Sequence, residues 1–309
     1  AASGRWRSMA HARPTVINAT DSSHSSRRNL PRVIGALTPR RQSYHTSGAC
    51  GQRFVRELVD MWRNTRMVVL TAMCASFYAA VLIPFMVVPI IPGVTHFRPA
   101  NALPVVCSFL FGPAAAWGAA IGNLIGDFFA GLGPGDLFGF TGNFLYALVP
   151  YRLWRACGTG DPVPTTFGAW VLFVVIVATA AGLCASTVGF GLQILGFVPF
   201  TVLANVVIVN NLVTALVLAP LLLAVLYPRV RRVRLLYADV MGARPPLSVA
   251  RRTLGVTLTL AGALVAFGGG NLAAAGWLPT AFATLSPNFA LALVVLPGLA
   301  TAVLGLALL

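Results

Sequence analysis

Long apolar runs separated by short polar segments fill the chain from Met67 onward. A transmembrane helix needs about 20 mostly apolar residues to cross the hydrocarbon core, and most of these runs have about that length. The predicted spans are residues 67–90, 100–112, 113–132, 137–153, 167–191, 199–227, 253–277 and 289–309. The pattern therefore predicts an all-α, polytopic membrane bundle, with a six-helix core at 61–228 and two further transmembrane helices at 253–309.

The second and third spans form a predicted hairpin that turns at residues 112–113. The second span is short, and such a span is tolerated in a membrane only when other helices shield it. Two charges flank the hairpin, since Arg98 lies 14 residues before the glycine of the turn and Asp127 lies 14 residues after its proline. With a helical rise of about 1.5 Å per residue, both lie at one depth, roughly 21 Å from the turn. Asn101 and Asn123 share a second level, slightly closer to the turn.

Two interpretations of these charges remain open. A charged side chain at the centre of a transmembrane helix costs about 2.5–3.5 kcal/mol on insertion scales, and less near the interface. Arg98 and Asp127 could offset that cost by pairing, or by binding a polar ligand together in an outward-facing pocket. Alternatively, Arg98 extends to the outer membrane surface and Asp127 lies among the lipid head groups.

Four further asparagines fall within the fourth and sixth predicted spans and need hydrogen-bond partners there. They are Asn143, Asn205, Asn210 and Asn211. Their amides can join helices to one another or donate to a ligand, and the sequence favours neither role. We take Asn143 and Asn205, together with the four polar residues of the hairpin, as the candidate binding site. Asp136 is instead predicted to be a loop residue or the N-cap of the fourth span.

Small residues recur at four-residue spacing on two of the predicted helices. They are Gly118, Gly122 and Gly126 in the third span, and Ala75 with Ala79, and Ala72 with Ser76 and Ala80, in the first. This spacing lets helix backbones approach one another closely in lipid. Ordinary packing between helices of this chain is one explanation, and a surface for a separate partner is the other.

Composition supports insertion into a membrane. The chain is 57% hydrophobic and 9% charged, with a mean hydropathy of +0.81, which is more apolar surface than a soluble domain can bury. All 22 basic side chains are arginines, and all but Arg98 lie at 5–66, 152–155 and 229–252, between the apolar runs. This distribution follows the positive-inside rule and does not indicate a nucleic-acid partner. It predicts a plasma-membrane (inner-membrane) protein with cytoplasmic N- and C-termini and a cytoplasmic connector at 229–252.

The residue types present exclude several kinds of chemistry. Without lysine, the chain has no Walker A loop and cannot form a Schiff base, so it is not itself a P-loop ATPase. Three of the four histidines precede residue 61, and the cysteines show no Cys-x-x-Cys spacing. We therefore predict no metal site, no cofactor and no catalytic residues, and interpret the cysteines as small buried apolar residues.

Residues 1–60 are rich in Arg, Ser, Pro, Thr and His and are predicted to be disordered. An Arg- and Ser-rich segment of this kind also resembles an organelle transit peptide. A third interpretation is that the native protein starts at Met61, which would place a short positive flank directly before the first span.

Several stretches of the core resemble a known family. They are the Ala75/Ala79 pair, FRPANALP before the hairpin, FLFGPAAAWGAAIGNLIGDFF within it, GFTGNFLYALVPYRLW in the fourth span and NNLVTALVLAPLL in the sixth. Over about residues 65–228 the chain resembles the substrate-binding S components of energy-coupling factor transporters, in particular the queuosine-precursor type. The N-terminal 60 residues and the spans after about residue 250 depart from that family's pattern.

The resemblance implies a six-helix membrane protein that binds a vitamin-like micronutrient or a queuosine precursor in an outward pocket. In that family, transport requires a separate transmembrane scaffold subunit and a pair of ATPase subunits. An Ala-xxx-Ala motif on the first helix contacts the scaffold, and Ala75 and Ala79 match it. The alternative is a structural or assembly membrane protein whose polar residues only lock helices together. A membrane hydrolase is disfavoured, since no Ser/His or Cys/His pair lies at matching depth.

Overall fold

Helices account for almost all of the architecture in the computed structural model, which describes residues 50–91, 95–158, 160–242, 246–277 and 285–309. The helices are α1 (Cys50–Asp60), α2 (Thr65–Leu82), α3 (Ala102–Phe111), α4 (Pro113–Ala130), α5 (Asp136–Cys157), α6 (Phe167–Ile194), α7 (Phe200–Arg232), α8 (Tyr237–Met241), α9 (Val249–Leu264), α10 (Gly270–Ala274) and α11 (Pro287–Leu308). Each predicted span coincides with one of these helices, and α10 continues the seventh span after α9. The all-α bundle is therefore confirmed.

Short non-α segments connect the helices. Single 3-10 turns lie at Met61–Arg63, Ile83–Val87 and Pro99–Asn101, and a π-helical turn, Val265–Gly269, joins α9 to α10. Two short strands, β1 (Pro89–Ile91) and β2 (Thr95–His96), pair antiparallel between α2 and α3.

Length and hydropathy mark five elements of the described residues as candidate membrane spans. They are Thr65–Val87, Phe167–Ile194, Phe200–Met241, Val249–Ala274 and Pro287–Leu308, and the segment Pro99–Phe111 is a shorter apolar helix. Helices α4 and α5 fall outside this set because they carry several glycines and the polar residues Asn123, Asp127 and Asn143. Such residues are tolerated in a membrane bundle when they face other helices.

One of the close helix contacts of the core joins α2 to α4. A Cβ atom on Gly122 would lie only 2.7 Å from the main-chain oxygen of Ala75, and one on Gly126 would collide with Leu82. The glycine row therefore packs directly on the backbone of α2, as its four-residue spacing predicts.

This contact corrects the prediction that Ala75 and Ala79 contact a partner. Both are buried inside the bundle, with 3% and 5% of their surfaces exposed. The other small-residue row of α2, formed by Ala72, Ser76 and Ala80, is exposed instead. The two rows lie on different faces of one helix, and only the second is open to a partner in this structure.

The C-terminal helices form a second tightly packed pair. A Cβ atom on Gly298 would lie 2.6 Å from the main-chain nitrogen of Ala266, and one on Gly305 would collide with Thr259. Helices α9 and α11 therefore approach each other at backbone distance. The pair packs against α6 and, through α11, against α1.

Residues 50–60 correct the prediction that the whole segment 1–60 is disordered, because they form α1. The buried carboxylate of Glu57 pairs with the buried guanidinium of Arg152 on α5, at 2.5 Å. The hydroxyls of Tyr151 and Tyr237 donate to the same carboxylate at 2.7 and 3.2 Å, so α1, α5 and α8 meet at one charge. A start at Met61 would remove that carboxylate. The remaining part of the predicted disordered segment, 1–49, lies outside the described residues.

The buried pair predicts a large stability effect. Glu57→Gln should lower the free energy of unfolding by about 3–5 kcal/mol, since it leaves the charge of Arg152 buried without its carboxylate. Thermal unfolding of the detergent-purified protein measures this. The control is Asp161→Asn, which breaks the exposed Arg231–Asp161 pair and should cost about 1 kcal/mol or less. Equal effects of the two substitutions would contradict a structural role for the buried pair.

Candidate binding site

A cavity of about 480 Å³ lies between α4, α5, α6 and α7, with the segment before α3 forming part of its wall. Glycines of the α4–α5 loop and Phe197 of the α6–α7 loop line its mouth. The turn at Gly112 lies at the opposite end of α4, packed against Tyr151 and Tyr237. The cavity therefore opens at the end of the bundle that faces away from the buried Glu57–Arg152 pair.

Eight polar residues line this cavity: Arg98, Asn101, Asn123, Asp127, Asp136, Asn143, Asn210 and Asn211. Five of the six residues predicted from sequence are among them. The apolar part of the wall is built by α6 and α7, chiefly through Val188, Leu192, Leu203 and Val207. The cavity thus combines an amide-rich surface with an apolar one, which is the composition typical of small-molecule sites.

Asn123 bridges the two charges of the hairpin. Arg98 Nη1 donates to Asn123 Oδ1 at 2.9 Å, and the Asn123 amide nitrogen donates to Asp127 Oδ2. Arg98 and Asp127 form no direct ion pair, which corrects the option that they neutralise each other by contact. Gly139 of α5 makes room for the bridge, since a Cβ atom there would lie 3.0 Å from the Asn123 nitrogen.

The guanidinium of Arg98 retains unused hydrogen-bonding capacity. Its Nε atom is buried and has no hydrogen-bond partner among the described residues. Its main-chain nitrogen donates to Asn210 Oδ1 at 3.4 Å, which fixes the start of the hairpin against α7. An unpaired buried donor costs about 1–3 kcal/mol, and the residue that carries it lines the cavity.

A second polar network lies beneath the charges and includes a residue that the sequence did not single out. The hydroxyl of Tyr78 lies 2.7 Å from Asn101 Oδ1 and 3.1 Å from Asn143 Oδ1. Asn101 in turn donates to Asn211 Oδ1 on α7. The available signal was a tyrosine inside an apolar span, because a buried phenol needs a hydrogen-bond partner.

Two other residues differ from their predicted roles. Asn205 lies outside the cavity and donates to Asn271 Oδ1 of α10 at 2.7 Å, so it joins α7 to the C-terminal helices. Asp136 begins α5 and accepts a hydrogen bond from the Gly133 main chain at 2.7 Å, yet it also lines the mouth of the cavity. Asp136 therefore lies at the start of α5, as predicted, but the sequence did not predict that it also lines the cavity.

The C-terminal helices support the wall of the cavity from behind. Gln193 accepts a hydrogen bond from the Phe200 main chain at 2.7 Å and donates to Asn288 of α11 at 3.2 Å. A Cβ atom on Gly270 would lie 2.7 Å from the ring of Phe200, so α10 packs closely on the start of α7. These contacts hold the α6–α7 loop at the rim.

The described residues contain no group of three or more His, Cys, Asp or Glu side chains that could hold a metal ion. The polar lining of the cavity consists of five asparagine amides, one arginine and two carboxylates. Such groups bind a ligand through hydrogen bonds that they both donate and accept.

Comparison with protein families matches residues 68–228, more than half of the chain, to the family described as QueT transporter. The chain belongs to the QueT transporter family. Every residue that lines the cavity lies inside the matched region, whereas α1 and α8–α11 lie outside it. Membership confirms the resemblance drawn from the hairpin and identifies a multi-pass membrane protein of a transporter family. Comparisons with curated proteins and with solved structures gave no match.

Proposed function

We propose that this QueT-family protein is the substrate-binding subunit of an energy-coupling factor importer for a micronutrient, with a queuosine precursor as the favoured ligand. One observation carries the proposal: the open, amide-lined cavity is lined by Arg98, a charged donor that forms no ion pair with Asp127 and whose Nε has no hydrogen-bond partner among the described residues. A membrane protein retains such a donor in an apolar bundle at a cost that a bound acceptor offsets.

The size and chemistry of the cavity support a small polar ligand. A volume of about 480 Å³ lies within the roughly 300–1,000 Å³ range of small-molecule sites. The lining supplies donors from Arg98 and the asparagines, and acceptors from Asp127 and Asp136. The base of queuosine, a 7-deazaguanine, presents both donors and acceptors on a flat ring and matches this mixture in kind.

The proposed orientation places the cavity mouth outside the cell. The arginines at 229–234 lie at the other end of the bundle, in the last turn of α7 and directly after it. By the positive-inside rule, that end and both termini are cytoplasmic, and the protein lies in the plasma membrane. A ligand then enters from the outside through the α4–α5 and α6–α7 loops.

Transport by such a subunit requires partners, because this chain has no lysine and hence no Walker A loop. We propose that separate ATPase subunits hydrolyse ATP and that a transmembrane scaffold subunit contacts α2. The exposed row of Ala72, Ser76 and Ala80 supports this surface, since small side chains permit close helix approach in lipid. Ala75 and Ala79 are instead buried on the face of α2 that packs against α4.

A second candidate function is a structural membrane protein that binds no ligand. The observation in its favour is that the hydrogen bonds of Asn101, Asn123 and Asn143 go to other residues of the chain. In that case the network only locks helices together, and ligand binding is absent.

The two functions differ in what Arg98 and Asp127 do. In a binding subunit, Arg98→Ala and Asp127→Asn should each weaken ligand affinity by about 2–5 kcal/mol, the range for truncating one partner of a buried charged contact. Isothermal titration with 7-deazaguanine and with a panel of vitamins measures this. Asn205→Ala is the control, because Asn205 is a polar residue outside the cavity. This variant should bind the ligand with the affinity of the wild type. The structural function would be favoured if the wild type bound no ligand and the Arg98 and Asp127 variants lost stability.

Membrane orientation is tested by labelling intact cells with an impermeant maleimide, in a variant without native cysteines. Leu132→Cys, in the exposed α4–α5 loop at the cavity mouth, should react. Asp161→Cys, in the exposed α5–α6 loop at the opposite end, should react only after the cells are permeabilised. The reverse pattern would overturn the orientation.

The scaffold surface is tested by co-purification. Ser76→Leu with Ala80→Leu should abolish recovery of the scaffold and ATPase subunits and leave ligand affinity intact, because bulk on this exposed row blocks close helix approach. The matched control is Val213→Leu with Val217→Leu on the exposed face of α7, which should retain both. Ala75→Leu with Ala79→Leu should instead lower stability. Full recovery of partners with the first double variant would exclude this surface.

A further inference from the structure

Tyr78 stands out because it belongs to the polar network of the cavity without lining it. It lies on α2, with 1% of its surface exposed, and its ring packs against Gly122 of α4. Its hydroxyl nevertheless reaches the side-chain oxygens of Asn101 and Asn143, which do line the cavity. The hydroxyl can therefore affect a ligand through these two amides, although it does not touch the cavity itself.

An asparagine side chain can present either end to a neighbour, and its partners decide which. The nitrogen donates and the oxygen accepts, so turning the amide over breaks both hydrogen bonds. The main-chain oxygen of Gly139 only accepts, which directs the Asn143 nitrogen to it at 2.9 Å and the Asn143 oxygen to Tyr78. The orientation of Asn143 is thus fixed by the Gly139 oxygen, which can only accept.

The orientation of Asn101 depends on Tyr78 itself. The shorter contact of the hydroxyl, 2.7 Å, is to the Asn101 oxygen. With its oxygen held there, Asn101 donates through its nitrogen to Asn211 Oδ1. The oxygen of Asn211 is then occupied, and its nitrogen is the end that remains for a ligand.

Asn210, like Asn211, has its side-chain oxygen occupied and its nitrogen left to donate, and a separate contact sets this orientation. Its oxygen accepts from the main-chain nitrogen of Arg98, which only donates. Two neighbouring asparagines of α7 thus offer donors to the cavity. On the opposite wall, Asp127 has one oxygen engaged by Asn123 and the other available as an acceptor.

We propose that Tyr78 is a positioning residue that sets the donor and acceptor pattern of the cavity, through Asn101 and Asn211, and so determines which ligands it selects. The proposal rests on the proposed function, since it concerns ligand selection by the same cavity. The favoured ligand carries acceptors on the edge that faces α7 and a donor on the edge that faces α4. Without the hydroxyl, Asn101 is free to turn over, and Asn211 then presents its oxygen instead of its nitrogen.

Tyr78→Phe tests this, because it keeps the ring that packs on α4 and removes only the hydroxyl. The probes are 7-deazaguanine, whose ring carbonyl accepts, and 7-deazaadenine, whose amino group at the same position donates. The wild type should prefer the first base. In the variant, the ratio of the affinities for the two bases should fall about ten-fold, the effect of one mispaired buried hydrogen bond. Titrations of the purified protein with each base measure this ratio.

Tyr146→Phe is the matched control. It removes another fully buried phenol, whose hydroxyl donates to the main-chain oxygen of Asn211 at 3.2 Å, an acceptor that cannot turn over. Both variants should lose thermal stability, but only Tyr78→Phe should lose base preference. An unchanged preference in Tyr78→Phe, or an equal loss in both variants, overturns the inference alone. If the wild type binds neither base, the proposed ligand class fails and the inference fails with it.

Discussion

The close contact between α2 and α4 is the constraint on which the candidate binding site depends. Helices in lipid gain nothing from excluding water, so they associate through van der Waals contact and hydrogen bonds between them. Three glycines of α4 supply that contact, because any side chain at Gly122 would strike the backbone of α2. The resulting short distance between the helices brings Tyr78 within reach of Asn101 and Asn143. A packing feature of the bundle thus places the polar groups of the cavity.

The bridging role of Asn123 explains how two charges persist in an apolar hairpin. A direct ion pair would satisfy Arg98 and Asp127 with each other and leave little capacity for anything else. With an amide between them, Arg98 donates one hydrogen bond to Asn123 and Asp127 accepts one from it, so other donors and acceptors of the two charged groups stay available. The same amide holds the two groups on the same wall of the cavity. Partial satisfaction of this kind is costly for a purely structural network and useful for a binding site.

The sequence predicts the parts of this protein that depend on local spacing. Span lengths and the glycine-proline turn are local features. Equal distance from that turn is enough to bring Arg98 and Asp127 to one cavity, with Asn101 and Asn123 at the next level. The rotation of a helix about its axis is not local, so sequence alone could not decide whether Ala75 or Ser76 faces the core. Tyr78 was missed for the same reason, because its role depends on which helix lies opposite.

Long-range contacts account for the other difference. Glu57 and Arg152 meet across 95 positions of the chain, and neither residue signals its partner in the sequence. The segment around α1 does carry a helical pattern, since Phe54, Leu58 and Met61 share one face, but its many polar residues masked that pattern. A prediction of disorder from composition is wrong for α1 because one buried charge anchors this otherwise polar helix.

The segments outside the matched family region hold the two ends of the site. At the end away from the cavity mouth, α1 and α8 close around the turn of the hairpin, where Tyr151 and Tyr237 pack on Gly112. The φ angle of this glycine is 55°, which other residues rarely adopt, and a Cβ atom there would lie 3.1–3.3 Å from the two rings, so a larger residue would be strained. At the end that carries the cavity mouth, α10 and α11 support the start of α7 and the rim loop. The cavity lies between these supports, and most of its polar residues lie on helices, so the packing of the bundle sets the positions of these polar groups.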